Sequence, residues 1–148
     1  MPLRPDIVVT RPDSPEILLV VEVRRNTAEQ KSSEAALKTY MVRMSCSVGM
    51  LVTSEQVRFY RNGYTDYAPQ TIEIIGECPT WELLGTTPQE TWTESDLERE
   101  VEEWLESLRT GGEGRWPSAV REAVESSVLP AVSGGTVRAG GPRWRRAG

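Results

Sequence analysis

The sequence predicts an α/β (α+β) domain: a central mixed β-sheet of about 4–6 strands flanked by helices, with an appended helical C-terminal segment. Three observations predict it. Two short apolar runs, Ile7-Val8-Val9-Thr10 and Ile17-Leu18-Leu19-Val20-Val21, flank the turn-forming segment Arg11-Pro12-Asp13-Ser14-Pro15-Glu16. A helical repeat from about Thr27 to Met44 then leads into a third apolar run, Val48 to Val52. A longer amphipathic helix follows over Glu94 to Arg109.

The first two strands are joined tightly enough to be antiparallel neighbours. Asp6 stands at the start of the first and Glu22 at the end of the second, so the two carboxylates are expected close together at one end of the sheet. Arg24 follows two residues later. Two carboxylates at a strand end suit a hard divalent ion, which takes oxygen ligands. The same residue types also make ordinary turns and solvated sheet rims, and spacing does not separate these outcomes.

In the helix that follows, Leu37, Tyr40, Met41 and Met44 recur on one apolar face, with Thr27 as N-cap and Gln30 at the capping-box position. Val48 to Val52 reads as a buried strand, parallel to the one ending at Glu22 and joined to it by a right-handed crossover. Val57-Arg58-Phe59-Tyr60 alternates, and Asn62-Gly63 is a hairpin signal that predicts a return strand over Tyr64 to Tyr67. Ile72 to Ile75 adds a further strand. Tyr60, Tyr64 and Tyr67 read as cross-strand packing partners in preference to a base-stacking platform.

Leu97, Val101, Trp104, Leu105 and Leu108 stripe the long helix, which is expected to pack on the sheet through Trp104. Ser95 and Glu98 resemble a capping box, and Glu98, Glu100, Glu102, Glu103 and Glu106 form a solvated acidic face. After Gly111-Gly112-Glu113-Gly114, Pro117 opens a shorter helix to about Leu129. Beyond Pro130 the chain reads as disordered. The expected organisation is thus residues 1–110 as the main domain, 111–130 as an appended short helix and 131–148 as a flexible basic tail.

Composition narrows the chemistry. The 148 residues contain no histidine, which removes Ser-His-Asp and Cys-His catalysis and makes a zinc site improbable. Cys46 and Cys78 are expected as buried small hydrophobes. A soluble cytoplasmic protein is the default, since no apolar run is long enough to span a bilayer and no signal peptide opens the chain. The net charge of −5 is unevenly spread: +2 over residues 1–64, −10 over 65–110 and +3 over 111–148. An acidic whole argues against nucleic-acid binding by net charge alone. Arg4, Arg11, Arg24, Arg25, Lys31, Lys38 and Arg43 nevertheless allow a local basic face on the first segment, although they read as a mixed solvated surface in preference to it.

Taken together, Arg4-Pro5-Asp6, Val21-Glu22-Val23-Arg24, the helix end Leu37-Lys38-Thr39-Tyr40-Met41 and the pair Gly49–Thr53 and Val57–Tyr60 resemble the PD-(D/E)xK nuclease superfamily, whose fold is restriction-endonuclease-like. The likeness runs from Arg4 to about Arg61 and is greatest to the N-terminal nuclease domain of type I restriction-enzyme motor subunits and their small stand-alone relatives. It implies metal-dependent hydrolysis of DNA phosphodiesters with Mg²⁺ or Mn²⁺. In that family's scheme Asp6 and Glu22 are the metal-binding acids, and the Val23 carbonyl is a further ligand.

The family's motif lysine falls on Arg24, which would clamp or stabilise charge because arginine does not shed its proton. Arg4, Arg25, Lys31 and Lys38 are the expected nucleic-acid contacts, and Lys31 or Lys38 is a candidate replacement amine. Ala36 stands where relatives often carry a glutamine, and four residues precede Pro5 where relatives have a glutamate-bearing helix and a first strand. These departures motivate an alternative, a non-catalytic interaction or assembly module on the same fold. A late-starting sheet would leave an edge open to a second copy, predicting a homodimer or membership of a larger restriction-type assembly.

Overall fold

The computed structural model describes residues 5–25, 28, 30–63, 71–111 and 116–139. Six strands form one mixed sheet: β1 (Ile7–Thr10), β2 (Ile17–Val23), β3 (Val48–Val52), β4 (Gln56–Asn62), β5 (Ile72–Pro79) and β6 (Thr136–Ala139). Their order across the sheet is β5-β4-β3-β2-β1-β6. Only the β2–β3 pair is parallel, and α1 (Gln30–Arg43) makes the crossover between them. The other neighbours are antiparallel, including β1 with β2 as their tight turn requires. This is the α+β architecture that the strand and helix patterns predict.

Side chains alternate across the sheet and build two cores. Val20, Leu51, Tyr60 and Ile72 face one side, where Leu37 and Met41 of α1 cover them. Gly49 belongs to this contact: a Cβ there would lie 2.5 Å from the Met41 sulfur, so the helix can approach β3 closely only over a glycine. Met44, expected on the same apolar face, is 43% exposed because α1 ends at Arg43 and the chain turns away through Ser45 at positive φ. Thr27, the expected N-cap, lies outside the described residues.

Leu19, Val21, Val23, Met50, Val52, Val57 and Phe59 face the other, larger core. It is closed by α2 (Thr80–Leu84), α3 (Glu94–Arg109) and a helical passage over 118–133. Helix α3 has the expected bounds but a different start. Thr93 is the N-cap, accepting from the Asp96 amide while the Asp96 carboxylate accepts from the Thr93 amide. The capping box is therefore shifted two residues from Ser95 and Glu98. Glu98 is not on the solvated face expected for it: it is buried with Leu97 and Val101 on the side of α3 that packs against the sheet. Trp104 is half-buried against the same core.

Both edges of β4 are filled, by β3 and by β5. The strand returning against β4 is thus Ile72–Pro79, and Tyr64 to Tyr67 lie outside the described residues. Tyr60 is fully buried, consistent with packing rather than an open stacking surface. Cys46 and Cys78 are buried free thiols.

The C-terminal third departs most from expectation. The helical passage runs as a 3-10 turn (Ser118–Val120), α4 (Arg121–Ala123), a π turn (Val124–Val128) and α5 (Leu129–Ser133). The π turn closes with the Leu129 amide donating to the Val124 carbonyl, immediately before Pro130, which has no N–H to donate. The helix therefore continues through a proline expected to end it. Val120, Ala123, Val124, Val128, Ala131 and Val132 all enter the larger core.

Residues 131–139 are correspondingly not the flexible tail the composition suggests. Gly135 lets the chain turn tightly over β1, since a Cβ there would lie 2.5 Å from Val9 Cγ1 and 2.8 Å from the Thr10 carbonyl. β6 then pairs with β1 from Thr10–Thr136 to Ile7–Ala139 and buries Val137. The edge of β1 expected to be open to a second copy is covered by the chain itself. Among the described residues no helix is long and apolar enough to cross a membrane.

Candidate functional site

The β1–β2 pairing brings Asp6 and Glu22 together, as their positions at adjacent strand ends predict. The Asp6 amide donates to the Val21 carbonyl at 3.1 Å, and its Oδ2 accepts from the Val23 amide at 2.6 Å. That second bond ties the Asp6 carboxylate to the end of β2. Glu22 lies one residue earlier on β2, paired in register with Leu51 of β3, and is 0% exposed. Asp6 is almost as deeply buried. Two acids are thereby held side by side away from water.

Arg24 supplies their counter-charge. Its amide donates to the Val52 carbonyl at 2.8 Å, extending the β2–β3 ladder by one residue. The side chain then folds back, and one guanidinium nitrogen, Nη1, meets three oxygens. It lies 2.7 Å from Glu22 Oε1, 2.9 Å from the Val23 carbonyl and 3.6 Å from Asp6 Oδ2. The 2.7 and 3.6 Å legs together cap the separation of those two carboxylate oxygens at about 6.3 Å. Glu22 Oε2, also buried, has no hydrogen-bond partner.

Burial pushes the Glu22 carboxyl up to about 7, against the opposing pull of the Arg24 charge, the Val23 amide and the Arg24 hydrogen bond. Glu94 adds a smaller upward push. It reaches the site from the first turn of α3, and its Oε1 accepts from the Arg25 amide at 3.3 Å. Sequence reasoning missed Glu94. No local pattern ties it to Glu22, and only the packing of α3 against the end of β2 makes them neighbours.

The remaining expected contacts scatter. Arg25 is exposed, and its guanidinium donates to the Glu90 carbonyl. Lys31 is exposed on α1. Lys38 pairs with Glu34 at 3.6 Å and sits over the Tyr60 ring, so its amine is not assembled with Asp6 and Glu22. Arg4 lies outside the described residues. Glu34 instead anchors a separate network on the α1 face, accepting from the Tyr60 hydroxyl at 2.6 Å and from Arg58 at 3.1 Å. Arg58 also pairs with Glu77.

The donor chemistry fits a hard divalent cation: two carboxylates and a backbone carbonyl converge, and one buried carboxylate oxygen is left unsatisfied. Among the described residues no group of three or more acidic or cysteine side chains is placed to hold a metal. Any ion bound here would therefore rest on Asp6, Glu22 and the Val23 carbonyl, with water completing its shell. No protein-family profile, curated protein or solved structure matches this chain.

Proposed function

We propose that the chain is a PD-(D/E)xK-type nuclease, hydrolysing DNA phosphodiesters with Mg²⁺ or Mn²⁺ held by Asp6, Glu22 and the Val23 carbonyl. The observation that carries the reading is the convergence of those three oxygens on one point at the ends of β1 and β2. A divalent ion supplies Lewis acidity and lowers the pKa of bound water. Asp6, fixed by the Val23 amide, and Glu22, fixed in the sheet, orient that ion. Arg24 carries a permanent positive charge suited to the phosphate oxygens, on which negative charge develops as water adds to phosphorus. Arg24 cannot act as a proton acceptor.

One observation favours the non-catalytic alternative: the guanidinium itself stands where the three oxygens meet. A protein that keeps this ion pair permanently would be an interaction module with the acids serving only the fold. Calorimetric titration of Mn²⁺ with a parallel plasmid-nicking assay separates the two. Binding and nicking lost together in Asp6→Ala and Glu22→Ala support the nuclease. Nicking that persists in both variants, or a wild-type protein that neither binds nor nicks, refutes it.

A further inference from the structure

We infer that Arg24 is the site's own counter-cation, occupying the divalent ion's place and leaving it when a phosphate anion draws the guanidinium outward. This inference rests on the metal-site reading above and adds a regulatory role to Arg24. Three features of the pair carry it.

The first is position. A single nitrogen contacts all three of the oxygens that would ligate an ion, so guanidinium and metal cannot share the site. The second is incompleteness. Arginine binds carboxylates best as a two-pronged fork, one nitrogen per oxygen. Here one prong serves Glu22 Oε1 and the Val23 carbonyl, and buried Glu22 Oε2 remains without a hydrogen bond. The guanidinium offsets part of the acids' charge and leaves Glu22 Oε2 without a hydrogen bond. The third is an exit. The Arg24 side chain is 29% exposed while the side chains of Asp6 and Glu22 are 0% exposed, so the cation lies at the mouth and the acids at the base. Its backbone stays tied to Val52 by the amide hydrogen bond, so the side chain can swing by rotamer change with β2 and β3 in place.

A phosphodiester offers the guanidinium the fork geometry that the buried acids do not. When the side chain moves to phosphate, the acids lose their counter-charge and their affinity for a divalent ion rises. Metal and phosphate therefore bind with positive coupling, and by linkage each raises the affinity of the other. The acids are then charged with metal only when substrate is at hand.

The test is calorimetric titration of Mn²⁺ into the full chain as wild type, Arg24→Gln and Arg24→Gln/Glu22→Gln, each with and without dimethyl phosphate, after thermal melts confirm folding. Glutamine keeps hydrogen-bonding capacity near the acids while removing the charge. The expected result is Mn²⁺ affinity about tenfold higher in Arg24→Gln than in wild type, within the usual range of coupling between sites. Adding Glu22→Gln abolishes that gain, and dimethyl phosphate raises affinity in wild type alone.

Equal or weaker binding in Arg24→Gln overturns the inference, and if wild-type binding still depends on Asp6 the nuclease reading survives it. Tight binding in Arg24→Gln with none in wild type, even with dimethyl phosphate, shows a plug that does not open. That result retains the occupied place, overturns the release step and removes the nuclease reading. No binding in any variant overturns both.

Discussion

Replacing Tyr60 with phenylalanine isolates the second polar network and has a calculable consequence. The Tyr60 hydroxyl is inside the α1-side core and donates to Glu34 Oε2 at 2.6 Å. Hydrogen bonds to charged groups contribute about 1.5–3 kcal/mol. Glu34 retains Arg58 at 3.1 Å and Lys38 at 3.6 Å after the substitution, so no carboxylate is orphaned. The loss should accordingly sit at the low end, about 1.5 kcal/mol near neutral pH.

The pH dependence sharpens the test. Burial raises the Glu34 carboxyl, but the Tyr60 hydroxyl, Lys38 and Arg58 together hold it below its usual 4.5. A carboxyl with a depressed folded pKa stabilises the protein fully above the unfolded value and loses that stabilisation as pH falls through the folded one. In Tyr60→Phe the folded pKa moves back toward 4.5, so the stability gap between wild type and variant shrinks in acid. It does not vanish, because a neutral carboxyl still accepts a hydrogen bond. Urea unfolding followed by tryptophan fluorescence at about pH 7 and about pH 3.5 reads both gaps. A gap that is constant, or that widens in acid, would refute the assignment of Glu34 as a charged acceptor held by Tyr60.

Two further outcomes follow from the packing. Burial pushes both the Cys46 and Cys78 thiols up to about 11, so Ellman's reagent at pH 8 should modify neither in the native protein and both in guanidinium chloride; rapid native labelling at either position would contradict its burial. Gly135→Val should destabilise the fold by about 1–3 kcal/mol through overpacking, because any Cβ there meets Val9 and the Thr10 backbone. An unchanged denaturant midpoint would show that the turn into β6 is looser than described.

The sequence by itself determined what depends on near neighbours. Ile7–Thr10, Val48–Val52 and Glu94–Arg109 were legible because strand alternation, apolar runs and helical spacing are local signals, and the tight turn before Ile17 makes β1 and β2 antiparallel partners. That pairing also placed Asp6 beside Glu22. The tertiary structure decided what depends on distant parts of the chain. β6 closes the edge of β1 although its Gly-, Ala- and Arg-rich surroundings read as a tail, because burying Val132 and Val137 offsets the entropy of ordering a short strand. Glu94 joins Glu22, and Glu98 turns inward, only once α3 lies against the sheet. The place of the Arg24 guanidinium is of the same kind. Residue type fixed its charge, but which oxygens it meets follows from the fold, which buries two acids beside each other and leaves one cation at their mouth.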